Sequence, residues 1–230
     1  MTNGETYIVR LSAWAPGIES PGEWDEWVKG NWEVCAGAKG PELLFADSMF
    51  RRRLSRISKM TVQVVHGLMP IGDDAKIFFL SFRGELSRQL QINRTFIEDK
   101  ALSPAAFSLS VFNAPVALAT MALGLKGGYS ALYPGKDSFT TGIEAAEAAL
   151  HSGAAGDLVF VYADEEAPPE YGRFSGECPV PAAFGLVLSR VPQPDSVPLS
   201  LLKKDGDETM STPLAFLKRL LLCGGIIVSP

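Results

Sequence analysis

GGYSALYPGKDSFTTG, residues 127–142, carries the strongest structural signal in the chain. Tyr129–Tyr133 reads as a short strand, Pro134-Gly135 as a turn, and Ser138–Leu150 as an alanine-rich helix. A strand that enters a tight turn and leaves on a helix is a building unit of α/β proteins. Enzymes use it to present a nucleophile, because the helix dipole and free backbone N–H groups stabilise negative charge at the turn. Here the turn carries Gly135, Lys136 and Asp137, none of them a conventional acyl nucleophile in that setting.

The same alternation extends both ways along the chain. Tyr7–Ala13 alternates as a strand and is stopped by Pro16-Gly17. Ser20-Pro21-Gly22-Glu23 followed by Trp24-Asp25-Glu26-Trp27 is a helix start with proline in the first turn. Met49–Leu68 reads as one long helix: Leu54, Ile57, Val64, Val65 and Leu68 recur at helical spacing, with Arg51, Arg52, Arg53, Arg56 and Lys59 between them. Lys76–Phe82 is a nearly continuous apolar run, as expected of a strand buried on both faces. Glu85–Ile97 is amphipathic and helical. Ser103-Pro104 opens a segment reaching Leu123, with Asn113 as a good N-cap ahead of Pro115. Asp157–Ala163 and Ala183–Arg190 are further strands, Pro192–Thr212 is a polar connector, and Pro213–Leu222 is a short amphipathic helix. Strands alternating with helices predict an α/β fold, a mainly parallel sheet with helices on its faces.

The chain has 230 residues, 47% hydrophobic and 20% charged, with a mean hydropathy of +0.12. That is a globular composition and excludes intrinsic disorder. A net charge of −5 argues against a general nucleic-acid binder, which shows a basic excess. Met1–Arg10 lacks the basic region and apolar stretch of a signal peptide. No apolar run approaches the ~20 residues that span a bilayer, and Leu220–Val228 is short and holds two glycines. Cys35, Cys178 and Cys223 form no CxxC or Cys/His cluster, which speaks against a disulfide framework or zinc site. These features predict a cytoplasmic protein without metal or cofactor. The segment Gly124–Gly128 follows a helix and not a strand, so it is no phosphate cradle, and no GxGxxG or P-loop is present.

Few residues offer chemistry. Lys136 is a candidate amine nucleophile, although a lysine in a solvent-facing turn is ordinarily just solvated. Ser138 needs a base, and the two histidines are poorly placed: His66 lies in an apolar helix, and His151 ends the alanine-rich helix, where a cation suits the dipole. Asp164, Glu165, Glu166 and Glu170 follow a strand end, where open α/β sheets often place sites; the plainer reading is a solvated acidic loop. The basic stripe Arg51, Arg52, Arg53, Arg56 and Lys59 suits an acidic partner, or is simply the exposed face of its helix.

The ordered series Ser103-Pro104, Asn113, Gly124-Leu125-Lys126-Gly127, Gly153 and Asp157 resembles the N-terminal half of the β-ketoacyl synthase family. RRRLSRISKM (51–60) is similar to the family's early arginine-rich helix, and FGLVLSR (184–190) to the strand that ends its first half. SAWAPG (12–17) with Trp24 and Trp27 looks like the short ketosynthase-like proteins of polyene-pigment clusters. The resemblance covers roughly residues 5–191 and implies half of a thiolase-like fold: a mostly parallel five-stranded sheet with helices on both faces. It implies a domain at 5–191, with 192–230 a connector and capping helix.

The departures carry the functional expectation. The resemblance puts Lys136 at the family's active-site cysteine, and the family's two catalytic histidines lie in a second half to which nothing here corresponds. This implies a degenerate member, a chain-length factor pairing with a complete β-ketoacyl synthase in an aryl-polyene-type or related type II polyketide or fatty-acid pathway, as a heterodimer or heterotetramer, with acyl-carrier protein as an indirect partner. By the same analogy Ala105, Ala106, Phe107, Leu109, Ser110, Phe112 and Asn113 face the partner's acyl tunnel, and Tyr129, Ser130, Ala131, Leu132 and Tyr133 form the sheet edge that meets it. Arg51, Arg52, Arg53, Arg56 and Lys59 are the carrier-docking candidates. Two other classes remain: an acyl-transferring enzyme using Lys136 or Ser138, and a carrier-docking module acting without a ketosynthase.

Overall fold

A computed structural model describes residues 4–18, 20–35, 39–134, 139–153, 156–172, 180–203 and 212–224. In chain order the strands are β1 (Tyr7–Trp14), β2 (Lys76–Leu80), β3 (Tyr129–Leu132), β4 (Asp157–Asp164), β5 (Ala182–Ser189) and β6 (Val197–Pro198). The main helices are α1 (Pro21–Lys29), α2 (Ser48–Arg53), α3 (Arg56–Gly67), α4 (Leu86–Asp99), α5 (Pro104–Ser108), α6 (Ala114–Leu123) and α7 (Phe139–Ser152); the short α8 (Leu199–Leu202) and α9 (Pro213–Leu222) follow.

The strands form one sheet in the order β3-β2-β4-β5-β1-β6. β2 pairs in parallel with β3 and β4, whereas the β4–β5, β5–β1 and β1–β6 pairs are antiparallel. β1 to β4 therefore all point one way, as the crossover pattern predicts. The expected five strands become six, because Val197-Pro198 adds a two-residue strand beside Tyr7 and Ile8.

The sheet is buried on both faces, so alternate side chains enter different cores. Leu158, Phe160 and Tyr162 join one cluster with Phe78, Leu80 and Phe184; Val159, Val161 and Ala163 join the other with Ile77 and Phe79. The first face is covered by α7, through Phe139, Ile143, Ala146 and Leu150, and by Trp24 of α1 and Phe216, Leu217 and Leu220 of α9. The second is covered by α3, through Ile57, Met60, Val64 and Val65, and by Val116 and Ala119 of α6. A register shift between Ile8 and Arg10 puts an irregularity into β1. It explains why Ile8 and Leu11, three apart, share a face.

The predicted helix Met49–Leu68 is two helices. Leu54 and Ser55 are extended, and the Ser55 hydroxyl accepts from the Ser58 N–H to start α3 afresh. The break lets Leu54 turn into the core. The segment from Ser103 to Leu123 divides into α5 and α6, the second starting after Asn113 as that residue and Pro115 indicate. The strand expected to reach Phe82 ends at Leu80, where Ser81–Gly84 turns away. α1 starts where its sequence indicates, and the structure adds a capping box: Ser20 caps the Glu23 N–H, and the Glu23 carboxylate takes the Ser20 N–H at 2.9 Å.

α7 lies so close to the sheet that a Cβ on Gly142 would sit 2.4 Å from Leu80 Cδ1. Replacing Gly142 with Val adds three carbons where the core is already filled. We expect a loss of about 3 kcal/mol of stability, read as a lower urea midpoint at unchanged slope. An unaltered midpoint would mean that this contact does not set the helix–sheet spacing.

Candidate partner and anion surface

β3 is an edge strand. Among the described residues it pairs only with β2, through Ile77–Tyr129 to Leu80–Leu132, so its other edge presents unpaired backbone groups. Tyr129, Ser130, Ala131 and Leu132 are half-buried, and Tyr133 is exposed. Asn113 ties the segment before α6 to this edge: its side-chain amide donates to the Tyr129 hydroxyl at 2.8 Å. The residue stands at the N-cap of α6 as expected, but its side chain makes no capping bond.

The segment 104–113 is held from the α4 side. Arg88 donates to the Leu109 carbonyl at 3.2 Å and to the Arg53 carbonyl at 2.8 Å; the Gln89 amide donates to the Ser110 carbonyl at 3.0 Å. Two grooves result, sharing Ile92 and Leu102. Phe107, Ser110 and Phe112 line one of about 530 Å³ with Gln89, Asn93 and Phe96, and Ala106 and Leu109 line another of about 300 Å³. Ala105 is exposed and lines neither. Phe107, with a relative exposure of 53%, is no core aromatic; Phe112 is half-buried, its ring centroid 6.2 Å from that of Phe79. The sequence reading missed α4 as a wall of these grooves. Its signal was an amphipathic pattern, yet the helix buries none of its residues, and Phe96 and Ile97 are exposed.

Beneath this surface lies a polar cluster at the carboxyl ends of β2 and β4. The Asp164 carboxylate is buried and accepts from Ser81 Oγ at 2.8 Å and from the backbone N–H groups of Phe82 at 2.8 Å and Arg83 at 3.1 Å. Ser81 Oγ accepts in turn from the Gly84 N–H. Gly84 has φ +53°, and a Cβ there would lie 2.7 Å from Phe112 Cδ2, so the turn admits Phe112 only over glycine. Glu85 is buried and accepts from the hydroxyls of Ser55 and Ser58, both at 2.6 Å. Burial pushes its carboxyl above the ordinary range, against the pull of those hydroxyls.

The acidic run is not a solvated loop. Arg56 reaches Glu165 and Glu166, each at 2.8 Å, and Arg94 pairs with Glu170. Glu165 is buried, so Arg56 is committed to the fold and is not a free docking cation. Arg51 is half-buried, Arg52 and Arg53 are exposed, and Lys59 is half-buried. His66 stacks on Phe45, with ring centroids 3.5 Å apart, and burial lowers its pKa. His151 does not serve the helix end alone: its Nε2 lies 2.9 Å from Thr6 Oγ1. Lys136, Ser138 and Cys178 lie outside the described residues. Among the described residues no group of three or more His, Cys, Asp or Glu side chains could hold a metal, and no helix is long and apolar enough to cross a membrane.

Burial is the main influence on Asp164 and raises its carboxyl to about 7. The folded state then holds its proton more tightly than the unfolded chain. Its contribution to stability is full below the ordinary carboxyl value and is lost as pH rises from about 4 to about 7. Asp164→Asn should flatten that slope in unfolding measurements across this range, apart from any constant loss. Parallel pH curves for the two proteins would contradict the assignment.

Comparison with known proteins bears on residues 24–217, which match the family model described as β-ketoacyl synthase, N-terminal domain. No curated protein matches the chain. Among solved structures, a ketosynthase (ApeO) in complex with its chain length factor (ApeC) from Xenorhabdus doucetiae matches with a TM-score of 0.69 and 26% identity, covering 80% of this chain and 79% of that one. The ishigamide ketosynthase/chain length factor matches with a TM-score of 0.62 and 12% identity, over 81% of this chain and 62% of its own. A type II polyketide synthase acyl-carrier protein in complex with its ketosynthase (AntDE:AntF) gives 0.56 and 12%, over 82% of this chain and 64% of its own. The last two share the fold, and this chain spans less than two thirds of their length.

Proposed function

The chain belongs to the β-ketoacyl synthase family, and from that premise we propose that it is a non-catalytic chain-length-factor subunit. It pairs with a complete β-ketoacyl synthase in the cytoplasm and shapes the tunnel that holds a growing acyl or polyene chain. The observation that carries this reading is the unpaired edge of β3, joined through Asn113 and Tyr129 to a segment whose side chains line open grooves. A free strand edge beside exposed apolar side chains is an association hazard unless a partner covers it. The similarity to a ketosynthase seen with its chain length factor supports a ketosynthase as that partner.

Residues 192–230 act as connector and cap: α9 lies on the α7 face, with Phe216 packed 5.2 Å from Phe139, centroid to centroid. The resemblance sets Lys136 where an active ketosynthase has its cysteine, which leaves the chemistry to the partner. Arg51, Arg52, Arg53 and Lys59 offer a cationic surface to the acidic face of an acyl-carrier protein.

The test is co-expression with a ketosynthase from the same gene neighbourhood, followed by size exclusion. A stable complex is expected, and a monodisperse monomer that ignores the ketosynthase would refute the reading. In the reconstituted pair, Phe107→Ala and Phe112→Ala should shift the products toward longer chains. An unchanged product profile for both variants would remove these residues from any tunnel.

A further inference from the structure

Loop 39–42, α2 and the start of α3 shape an open concavity of about 600 Å³, lined by Lys39, Glu42, Arg51, Arg52 and Lys59 together with Ser48. Four cations face one carboxylate, a net charge of +3 on a chain whose total is −5. Among the described residues none of the four cations has a carboxylate within 4 Å, whereas the neighbouring Arg56 is neutralised by Glu165 and Glu166. The concavity is built rather than incidental. Arg51 Nη1 donates to the Glu42 carbonyl at 3.1 Å, which closes the loop onto α2, and Gly40 lies against Arg56, where a Cβ would come within 3.2 Å of Cγ. One donor is left over: Arg51 Nε is buried and has no hydrogen-bond partner among the described residues. A buried guanidinium N–H without an acceptor is costly, and an anion beside the Arg51 guanidinium offsets that cost through its charge.

We propose that this concavity binds a phosphate ester. A phosphate carries up to two negative charges and three acceptor oxygens, which matches several converging cations, and guanidinium forks suit it in particular. The Glu42 carboxylate opposes an anion, and the cationic excess outweighs it. The ester is either the one that attaches a carrier protein's prosthetic arm or that of a free small molecule; the first source rests on the carrier-docking reading given above, whereas the site itself rests on the concavity.

The experiment is calorimetry on the full chain with inorganic phosphate, pantetheine 4′-phosphate and pantetheine. Binding of the two phosphates but not of pantetheine is expected, weakening with salt. The double variant R52E/K59E, whose side chains make no hydrogen bond to the fold among the described residues, should bind at least about tenfold more weakly. R51K keeps the charge but removes the planar guanidinium fork, and should weaken binding too; it serves as the second variant if the double one misfolds. Equal binding of pantetheine and its phosphate, or unaltered affinity in every variant, would overturn the site. Carrier protein with and without its arm is then offered to the ketosynthase complex. If R52E/K59E weakens only the armed carrier, the ester is the carrier's. If neither carrier binds while the free phosphate ester still does, the docking reading fails and the site stands. If both carriers weaken equally and no free phosphate binds, docking stands and the phosphate site falls.

Discussion

The carboxylate of Asp164 fixes the end of β4 against the end of β2, and the whole presented surface hangs from that joint. By taking the N–H groups of Phe82 and Arg83 and the Ser81 hydroxyl, it stops β2 and turns the chain at Gly84. The turn places Glu85 under Ser55 and Ser58, which sets the start of α3, and launches α4. It also makes room for Phe112, and the next residue, Asn113, reaches the edge strand at Tyr129. A single buried acid thus links the strand ends, the arginine-bearing helices and the grooves beside β3. Its donors are mostly backbone groups, which cannot be swapped by substitution. That makes the geometry strict and leaves the acid and the Ser81 hydroxyl as its adjustable members.

A second constraint is the sheet itself. Because both faces are buried, each strand must feed two cores, and helices must cover both. α3 and α6 close one face, α1, α7 and α9 the other. α4 takes no part in either cover and buries no residue. It stands at the rim, pinned by Arg88 and Gln89, and forms a wall for grooves beside the free edge.

Local signals were read well where a single element decides them. The apolar run of β4, the proline-led start of α1 and the alanine-rich run of α7 all lie within one element, and each formed as its residues indicate. Signals that depend on a distant residue were misread. Leu54 and Ser55 fit helical periodicity, yet Ser55 bonds Glu85, thirty positions away, and the helix breaks there. Asn113 stands at the N-cap position its sequence indicates, but its side chain makes no capping bond and its NH2 donates across to the Tyr129 hydroxyl. Arg56 sits in a basic stripe indistinguishable from its neighbours until Glu165 arrives from just beyond the end of β4. The amphipathic pattern of α4 suggested a core face, because periodicity records apolar spacing and not what lies opposite it.

The sequence by itself determined most of the elements, the resemblance to the family, and the alternation of strand with helix, since these follow from residue spacing, caps and turn-formers within a few positions. Only the tertiary structure decided that a sixth strand lies beside β1, that the side chains at 106–112 divide between two grooves, and which arginines are tied up in ion pairs. Strand order and ion pairing are choices among residues far apart in the chain. They are settled by burial and by competition between donors and acceptors, and no local pattern encodes the winner.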